Sequence, residues 1–374
     1  MRGVAILLVL VYHAGANGWR LPPWRADGWI QLSTLGSKWL AVPFLHFGFA
    51  GVHLFFVLSG YCIHLRAARA ISDGKPPLPS LRVFFLRRFW RIYPPYWIAL
   101  GIFGLAAPLI AGKVVSAPDL ALHATMLHTL REQTIFSINP AFWSLATEEQ
   151  FYLAYPLVLP LIARLGARRV VVGALALSLA WRAGALALIP PTPAHFLEWR
   201  VAVHALFLPR WYEWLLGCAL AEAHASKSAV LEGKTRFLAI AGALLLLCAA
   251  ATRVHAIADK LFSDSLFASA FAAITGAALA ARPSANRARA AFSRALAFVG
   301  RRAYGLYLVH QPILDWESLS IAWRAALAPL AGFLFSYLCE RPFERRSQMA
   351  ILAPCEPSSA SSSPSPVASP IQRR

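Results

Sequence analysis

The sequence predicts an all-α membrane protein, a polytopic bundle of about ten transmembrane helices whose two ends both lie in the cytoplasm. Hydrophobic residues make up 58% of the 374 residues and charged residues only 14%, whereas about 25% of the residues in a soluble domain are charged. Apolar stretches recur along the chain, and arginine and lysine gather in alternate connections between them. Composition and charge placement therefore agree on this fold class.

Ten apolar stretches are candidate helices. They cover residues 3–16, 43–65, 92–112, 141–163, 170–189, 211–225, 237–252, 264–281, 303–316 and 319–339. Several are shorter than the ~20 residues that a full crossing needs. Tilted or re-entrant helices are therefore expected among them.

The positive charge follows the predicted topology. With the N-terminus inside, 25 lysines and arginines fall in cytoplasmic segments and nine fall on the opposite side. Because positive charge is retained on the cytoplasmic side, this asymmetry supports ten crossings. The net charge of +19 is then a topological signal, so we predict a lipid bilayer as the environment and no nucleic-acid partner.

The domain organisation is simple. We predict one integral-membrane domain over residues 1–346, followed by a disordered cytoplasmic tail, rich in serine and proline, over residues 347–374. The five cysteines are scattered and none stands in a CxxC spacing. Because no His/Cys/Asp cluster has ligand spacing either, no metal site is predicted.

The first helix carries two ionisable residues on one face. Arg2 and His13 are eleven positions apart, which returns them to the same side of a helix about 16 Å apart along its axis. Ionisable groups inside a membrane are costly and mark a site or a partner. Two interpretations stay open, an orientation charge with a hydrogen-bonded core histidine, or a functional pair.

An arginine cluster follows in FFLRRFWRIYPPYW. Arg88 and Arg91 share a helix face, and we expect Pro94 and Pro95 to interrupt the helix behind them. Guanidinium groups match phosphate geometry, so the cluster is a candidate site for a phosphorylated ligand. Anchoring against anionic lipid is the alternative.

The fourth stretch, INPAFWSLATEEQFYLAYP, adds a buried carboxylate. Asn139 is predicted as the N-cap and Pro140 as the first helical residue. Glu148 then lies about 12 Å along the helix, at a depth similar to that of His13. A histidine with a carboxylate partner is typical of a general base, which makes His13 and Glu148 candidate catalytic residues.

Other polar residues in apolar stretches have structural explanations. His53 and His64 flank small residues and are interpreted as packing histidines. His310 and Asp315 form an H-x4-D pattern, which we treat as coincidence because one such pair carries little information.

Six motifs together resemble the integral-membrane acyltransferase family 3, the bacterial multispanning O-acyltransferases. The resemblance extends to about residue 346, and its motifs are RGVAILLVLVYH, FFVLSGY, RRFWRIYP, WSLATEEQFYL, YGLYLVHQP and ERPF. It implies transfer of an acyl group, acetyl or another short chain, from acyl-CoA to a hydroxyl of a carbohydrate or a glycosylated metabolite. It also implies a multi-pass protein of the bacterial inner membrane.

The resemblance assigns roles to residues of this chain. It implies that Arg2 and His13 are essential, with His13 as the base, and that Arg88, Arg91 and Glu148 occupy the other functional positions. We expect Arg2, Arg88 and Arg91 to bind acyl-CoA and Glu148 to orient His13. A membrane transporter of a glycan, lipid or small metabolite is the alternative, because buried histidine and glutamate also suit proton coupling.

Overall fold

Helices form all the regular structure that is described. The computed structural model describes residues 1–18, 47–77, 80–190, 192–228, 231–281 and 286–349. No strand occurs in those ranges, which confirms the predicted all-α class. Most of the predicted tail, residues 350–374, lies outside the described residues.

Each of the ten predicted apolar stretches contains a helix. The longer helices are α1 (Arg2–Gly18), α2 (Gly51–Ser72), α3 (Leu81–Gly101), α4 (Ala117–Ala124), α5 (Phe142–Leu165), α6 (Ala167–Leu188), α7 (Phe196–His204), α8 (Trp211–Ala225), α9 (Thr235–Thr252), α10 (Asp264–Ala280), α11 (Arg287–Arg301), α12 (Ala303–Leu314), α13 (Ile321–Phe335) and α14 (Arg341–Met349). Short helical segments extend or connect them at Gly48–Ala50, Ile102–Ala106, Ala107–Ile110, His128–Leu130, Pro193–His195, Leu208–Arg210, Ala256–Ala258, Asp259–Ser263 and Ser336–Glu340.

Six continuous helical segments of the described chain are long and apolar enough to cross a membrane. They are Gly48–Ser72, Leu81–Ile110, Ala167–Leu188, Thr235–Thr252, Ala256–Ala280 and Ile321–Gln348, and Arg2–Ala14 is a shorter apolar helix. The chain is therefore a multi-pass membrane protein. Ten crossings and two cytoplasmic ends stay predictions.

The arginine cluster lies inside a helix, contrary to the expected interruption. Helix α3 begins at Leu81, where the Ser80 hydroxyl accepts a hydrogen bond from the Val83 N–H (3.1 Å). It continues through Pro94 and Pro95 to Gly101. Neighbouring helices in a membrane protein hold such proline-containing turns in place, so the prolines do not end the helix.

Two other predicted boundaries also move. Helix α5 begins at Phe142, because the Asn139 side chain accepts from the Ala141 N–H (3.1 Å) and donates to the Leu308 carbonyl (2.9 Å). Helix α14 continues to Met349, three residues into the predicted tail. The Ser347 hydroxyl there donates to the Arg87 carbonyl (3.0 Å), which ties this end of the chain to α3.

Close helix contacts depend on glycine. Gly60 of α2 and Gly217 of α8 face the partner backbone, where a Cβ on Gly60 would overlap the Trp214 carbonyl oxygen and one on Gly217 that of Val57. Small residues at such a crossing let two backbones approach. Helix α2 also contacts α5, where the hydroxyls of Ser59 and Tyr152 are 3.2 Å apart beside the candidate site.

Candidate active site

A cavity of about 270 Å³ lies between α1, α2, α3, α5, α11 and α12. Four of the five predicted site residues line it, namely Arg2, Arg88, Arg91 and Glu148. The exposed side chain of Arg301 marks one end of the cavity, and the buried side chains of Ser144 and Tyr307 mark the other. The structure thus brings arginines from the first and third helices to one space, as the sequence predicts.

The cavity arginines differ in how their charges are balanced. Arg91 forms an ion pair with Glu344 (3.3 Å), and both side chains are about one-third exposed. Within the described chain, Arg2 and Arg88 have no carboxylate within 4.0 Å. The Arg88 guanidinium instead lies over the rings of Phe84 and Tyr152, at 4.9 and 5.6 Å from their centroids. The cavity therefore presents cationic charge that an anionic ligand can neutralise.

A chain of hydrogen bonds holds Glu148. The Trp214 indole N–H donates to the Ser59 hydroxyl (3.3 Å), which bonds to the Tyr152 hydroxyl (3.2 Å). Tyr152 donates to the Glu148 carboxylate. Because Tyr152 has a single O–H proton and donates it to the Glu148 carboxylate, its oxygen accepts from the Ser59 hydroxyl. The carboxylate at the end of this chain is thus an acceptor held in place.

Two hydroxyl groups close the buried end of the cavity. Ser144 and Tyr307 form a hydrogen bond of 2.7 Å between α5 and α12. Glu340 also lines the cavity, and its carboxylate accepts hydrogen bonds from the Gly305 N–H (3.1 Å) and the Ser336 hydroxyl (2.7 Å). These bonds pin the first turn of α12 beside the cavity.

His13 lies apart from the cavity lining, next to another histidine. Its ring centroid is 5.2 Å from that of His310, and the His310 ring is 5.3 Å from that of Tyr307. The predicted pairing of His13 with Glu148 is not formed in the described chain, because Glu148 points into the cavity and bonds to Tyr152. Similar depth along two helices does not fix the direction of a side chain, and that is why the pairing was mispredicted. The catalytic roles themselves stay predictions.

A second polar cluster, absent from the sequence predictions, is buried between α2, α6, α8 and α10. Asp264 accepts from Arg182 (2.7 Å) and lies 3.2 Å from Arg210, which also pairs with Glu213 (2.8 Å). His53, interpreted as a packing histidine, lies 2.8 Å from Glu213 and 3.4 Å from Asp264. We call these five residues the ionic network. The one available signal was the occurrence of ionisable residues in or beside four separate apolar stretches, and spacing along the chain could connect only Arg210 with Glu213.

The described residues contain no group of three or more His, Cys, Asp or Glu side chains arranged to hold a metal ion. The side chains in and beside the cavity supply cationic, hydroxyl, carboxylate and imidazole groups. Such a set can bind an anionic ligand, polarise a carbonyl group and move a proton.

The fold and the site define the class of molecule. It is a multi-pass helical membrane protein with a cationic cavity beside a pair of histidines. A family model described as an acyltransferase domain matches residues 1–339. The chain therefore belongs to this acyltransferase family and is a transferase enzyme. This result does not favour the transporter interpretation.

Curated relatives are O-acetyltransferases. The peptidoglycan O-acetyltransferase OatA of Listeria monocytogenes is 27% identical over 337 residues, which cover 79% of this chain and 51% of that protein. The O-acetyltransferase OatA of Staphylococcus aureus is 26% identical over 345 residues, which cover 84% of this chain and 49% of that protein. The chain thus spans about half the length of these relatives. No solved structure matches it.

Proposed function

We propose that the protein is an O-acyltransferase of the bacterial inner membrane that moves an acetyl or other short-chain acyl group from acyl-CoA to a carbohydrate hydroxyl. The observation that carries this proposal is the cavity, in which Arg2 and Arg88 are unpaired within the described chain and Arg91 stands beside them. The names of the relatives support a glycan acceptor, with a peptidoglycan sugar as the first candidate.

The cavity suggests how the donor binds. Its volume of about 270 Å³ lies just below the range of about 300–1,000 Å³ for small-molecule sites, so it takes the thioester end of acyl-CoA and leaves the nucleotide outside. Arg91 and Arg301 stand at the more exposed end, where the phosphates would bind. Ser144 and Tyr307 stand at the buried end, where the acyl group would lie. The predicted topology places the exposed end at the cytoplasm, the compartment that contains acyl-CoA.

The transfer itself needs a base and a leaving group. In the proposed reaction, His13 takes the proton of the acceptor hydroxyl while its oxygen attacks the thioester carbonyl carbon. A C–O bond forms, the C–S bond breaks, and the CoA thiolate leaves and is protonated. Glu148 accepts from Tyr152 and holds it in the cavity lining, which differs from the orienting role that the sequence suggested.

Transfer by purified protein tests the proposal. The full chain in lipid nanodiscs is given acetyl-CoA and a peptidoglycan disaccharide, and acetylated sugar is measured by mass spectrometry. Replacing Arg88 and Arg91 with glutamine should raise the KM for acetyl-CoA by on the order of 10²-fold, because charged hydrogen bonds are worth about 1.5–3 kcal/mol each. The matched control replaces Arg168 and Arg169, an exposed pair, and should leave KM unchanged.

A binding experiment on Cys62 does not depend on the acceptor. This exposed cysteine lines the cavity. In a variant that keeps Cys62 as its single cysteine, acetyl-CoA should slow maleimide labelling, and S-acetylpantetheine, which lacks the phosphates of the nucleotide, should do so far less. Both probes are thioesters without a free thiol, so neither consumes the reagent. Equal labelling with and without acetyl-CoA, together with an unchanged KM in the arginine variant, would refute donor binding in this cavity.

A further inference from the structure

The imidazole nearest to His13 belongs to His310, a residue that the sequence patterns did not assign to the site. The two ring centroids are 5.2 Å apart and the planes are inclined by 57°. No hydrogen bond joins the two rings in the described chain. Ring nitrogens lie on the rim of an imidazole, so at this centroid separation a rotation of the His13 ring brings two nitrogens within hydrogen-bond reach, and catalytic hydrogen bonds often form or shorten when substrate binds.

His310 has one nitrogen that is bonded and one that is free. Its Nδ1 lies 2.8 Å from the Tyr307 carbonyl oxygen. A carbonyl only accepts, so Nδ1 carries the proton and Nε2 has the lone pair of the neutral ring. Nε2 is buried and has no hydrogen-bond partner in the described chain, and His310 is 0% exposed. A buried acceptor without a partner is costly, which is a reason to look for a functional one.

The helix that carries His310 is fixed at several points. Asn139 donates to the Leu308 carbonyl (2.9 Å), Glu340 accepts from the Gly305 N–H (3.1 Å), and Arg324 donates to the Leu314 carbonyl (2.8 Å). These bonds come from three other segments of the chain. They hold the backbone of α12 and thereby set the position of the His310 ring beside His13.

We propose that His310 is the positioning partner of His13. The Nε2 lone pair of His310 accepts a hydrogen bond from the His13 N–H on the side of the ring away from the substrate. This inference rests on the proposed acyl transfer. The free nitrogen of His13 takes the proton of the acceptor hydroxyl as the new C–O bond forms and the C–S bond breaks. The bond to His310 selects the reactive tautomer and stabilises the imidazolium, and the CoA thiolate leaves.

The cavity carboxylate Glu148 and the carboxylates of the ionic network have other partners in the described chain. Glu148 is bonded to Tyr152, and Glu213 and Asp264 are occupied by arginines. Tyr307 connects the two parts of the site, because its hydroxyl faces the cavity while its carbonyl and ring contact His310. His310 is therefore placed between the donor cavity and the proposed base.

Three substitutions at His310 separate the acceptor function from packing. His310→Gln places an amide oxygen near the position of Nε2 and so keeps the acceptor. His310→Asn keeps a donor for the Tyr307 carbonyl but has no acceptor at the Nε2 position. His310→Ala removes the donor and the acceptor. We expect kcat to stay within about tenfold of wild type for Gln and to fall on the order of 10²-fold for Asn and Ala. The KM for acetyl-CoA should be unchanged in all three, since the arginines bind the donor. His64→Asn is the control for the loss of a buried imidazole at another position, because both nitrogens of His64 already have partners, Tyr155 and Glu222.

A chemical readout tests the same contact without acyl-CoA. Diethyl pyrocarbonate modifies the unprotonated nitrogen of a neutral imidazole. The rate of modification of His13, followed by mass spectrometry, reports how strongly the N–H on the other nitrogen of the same ring is hydrogen-bonded. Modification of His13 should be slower in His310→Asn than in wild type and in His310→Gln. The exposed His255 gives the reference rate.

The outcomes are distinguishable from failure of the proposed function. If wild type transfers acetyl groups and His310→Asn keeps the wild-type kcat, the inference is wrong. Equal losses in Gln, Asn and Ala would also overturn it, because they would show a packing role. If wild type shows no transfer from acetyl-CoA, the proposed donor is wrong, and the His13 modification rates still decide whether His310 positions His13.

Discussion

The donor cavity and the ionic network contain the same kinds of side chain but differ in how the charges are paired. In the network, Arg182, Arg210 and their carboxylates are almost fully buried, and each arginine has a carboxylate within 2.8 Å. In the cavity, Arg2 and Arg88 have no such partner in the described chain. Buried charge is tolerated in a membrane protein when it is paired or when it faces a cavity, and this molecule uses both solutions.

The difference separates a structural role from a binding role. Asp264 and Glu213 connect α8 and α10 with α2 and α6, so the network fixes the bundle. The cavity arginines keep their charge available to a ligand. We therefore expect changes in the network to affect folding and changes in the cavity to affect kinetics.

The largest effect is expected for Asp264→Ala. It leaves Arg182 and Arg210 without their shared carboxylate, and breaking a buried ion pair costs about 3–5 kcal/mol. The melting temperature of detergent-purified protein should fall sharply. Asp73→Ala is the control, since its pair with Lys75 is exposed and such pairs contribute little. A stable Asp264→Ala protein without activity would assign the network to the site instead.

His13→Ala should affect catalysis without a comparable loss of stability. Loss of a general base costs roughly 10²–10⁴-fold in rate. The measurement is transfer per mole of folded protein, alongside the melting temperature. Near-normal specific activity would end the proposal that this histidine carries the chemistry, and a loss in proportion to folded protein would indicate a core histidine.

Glu148→Gln sharpens the description of the cavity. Glutamine can still accept from Tyr152 but removes the negative charge near Arg88. We expect kcat to fall about tenfold, less than the roughly 10²–10⁴-fold lost with a group that transfers the proton itself, because Glu148 acts through Tyr152. The KM for acetyl-CoA should be unchanged or lower, because the cavity becomes more cationic. A rise in KM like that of the arginine variant would contradict this assignment.

The smallest effect concerns two stacked histidines outside the membrane-spanning helices. His123 and His128 have ring centroids 4.0 Å apart. Burial, and then the neighbouring His123, hold the pKa of His128 well below its ordinary value. As the pH falls, the unfolded chain therefore binds a proton at His128 before the folded chain does. The free energy of unfolding that the neutral His128 ring contributes above pH about 6.5 is lost as the pH falls below that value.

His128→Phe keeps the stacking and removes this titration. Between pH about 7.5 and about 5.5 its melting temperature should fall less than that of wild type. Thermal unfolding of both proteins in matched buffers measures the difference. The same fall in both proteins would show that His128 does not contribute to the acid sensitivity.

Much of the cavity was predictable because it depends on local pattern. Arg88 and Arg91 share a face by helical spacing, and Arg2 opens an apolar helix. Four of the five predicted residues meet in the cavity for that reason. The pairing of His13 with Glu148 failed, because depth along two helices says nothing about their relative rotation.

The sequence by itself determined the helical class, the apolar stretches and the family, since apolar length, charge placement and motif spacing are properties of the linear chain. Only the tertiary structure decided which polar groups meet. It joined Asp264 to arginines 54 and 82 positions away, brought His310 of α12 to His13 of α1, and directed Glu148 to Tyr152. The physical reason is that each contact depends on the rotation and crossing of separate helices, which packing of side chains sets and which no single helix encodes.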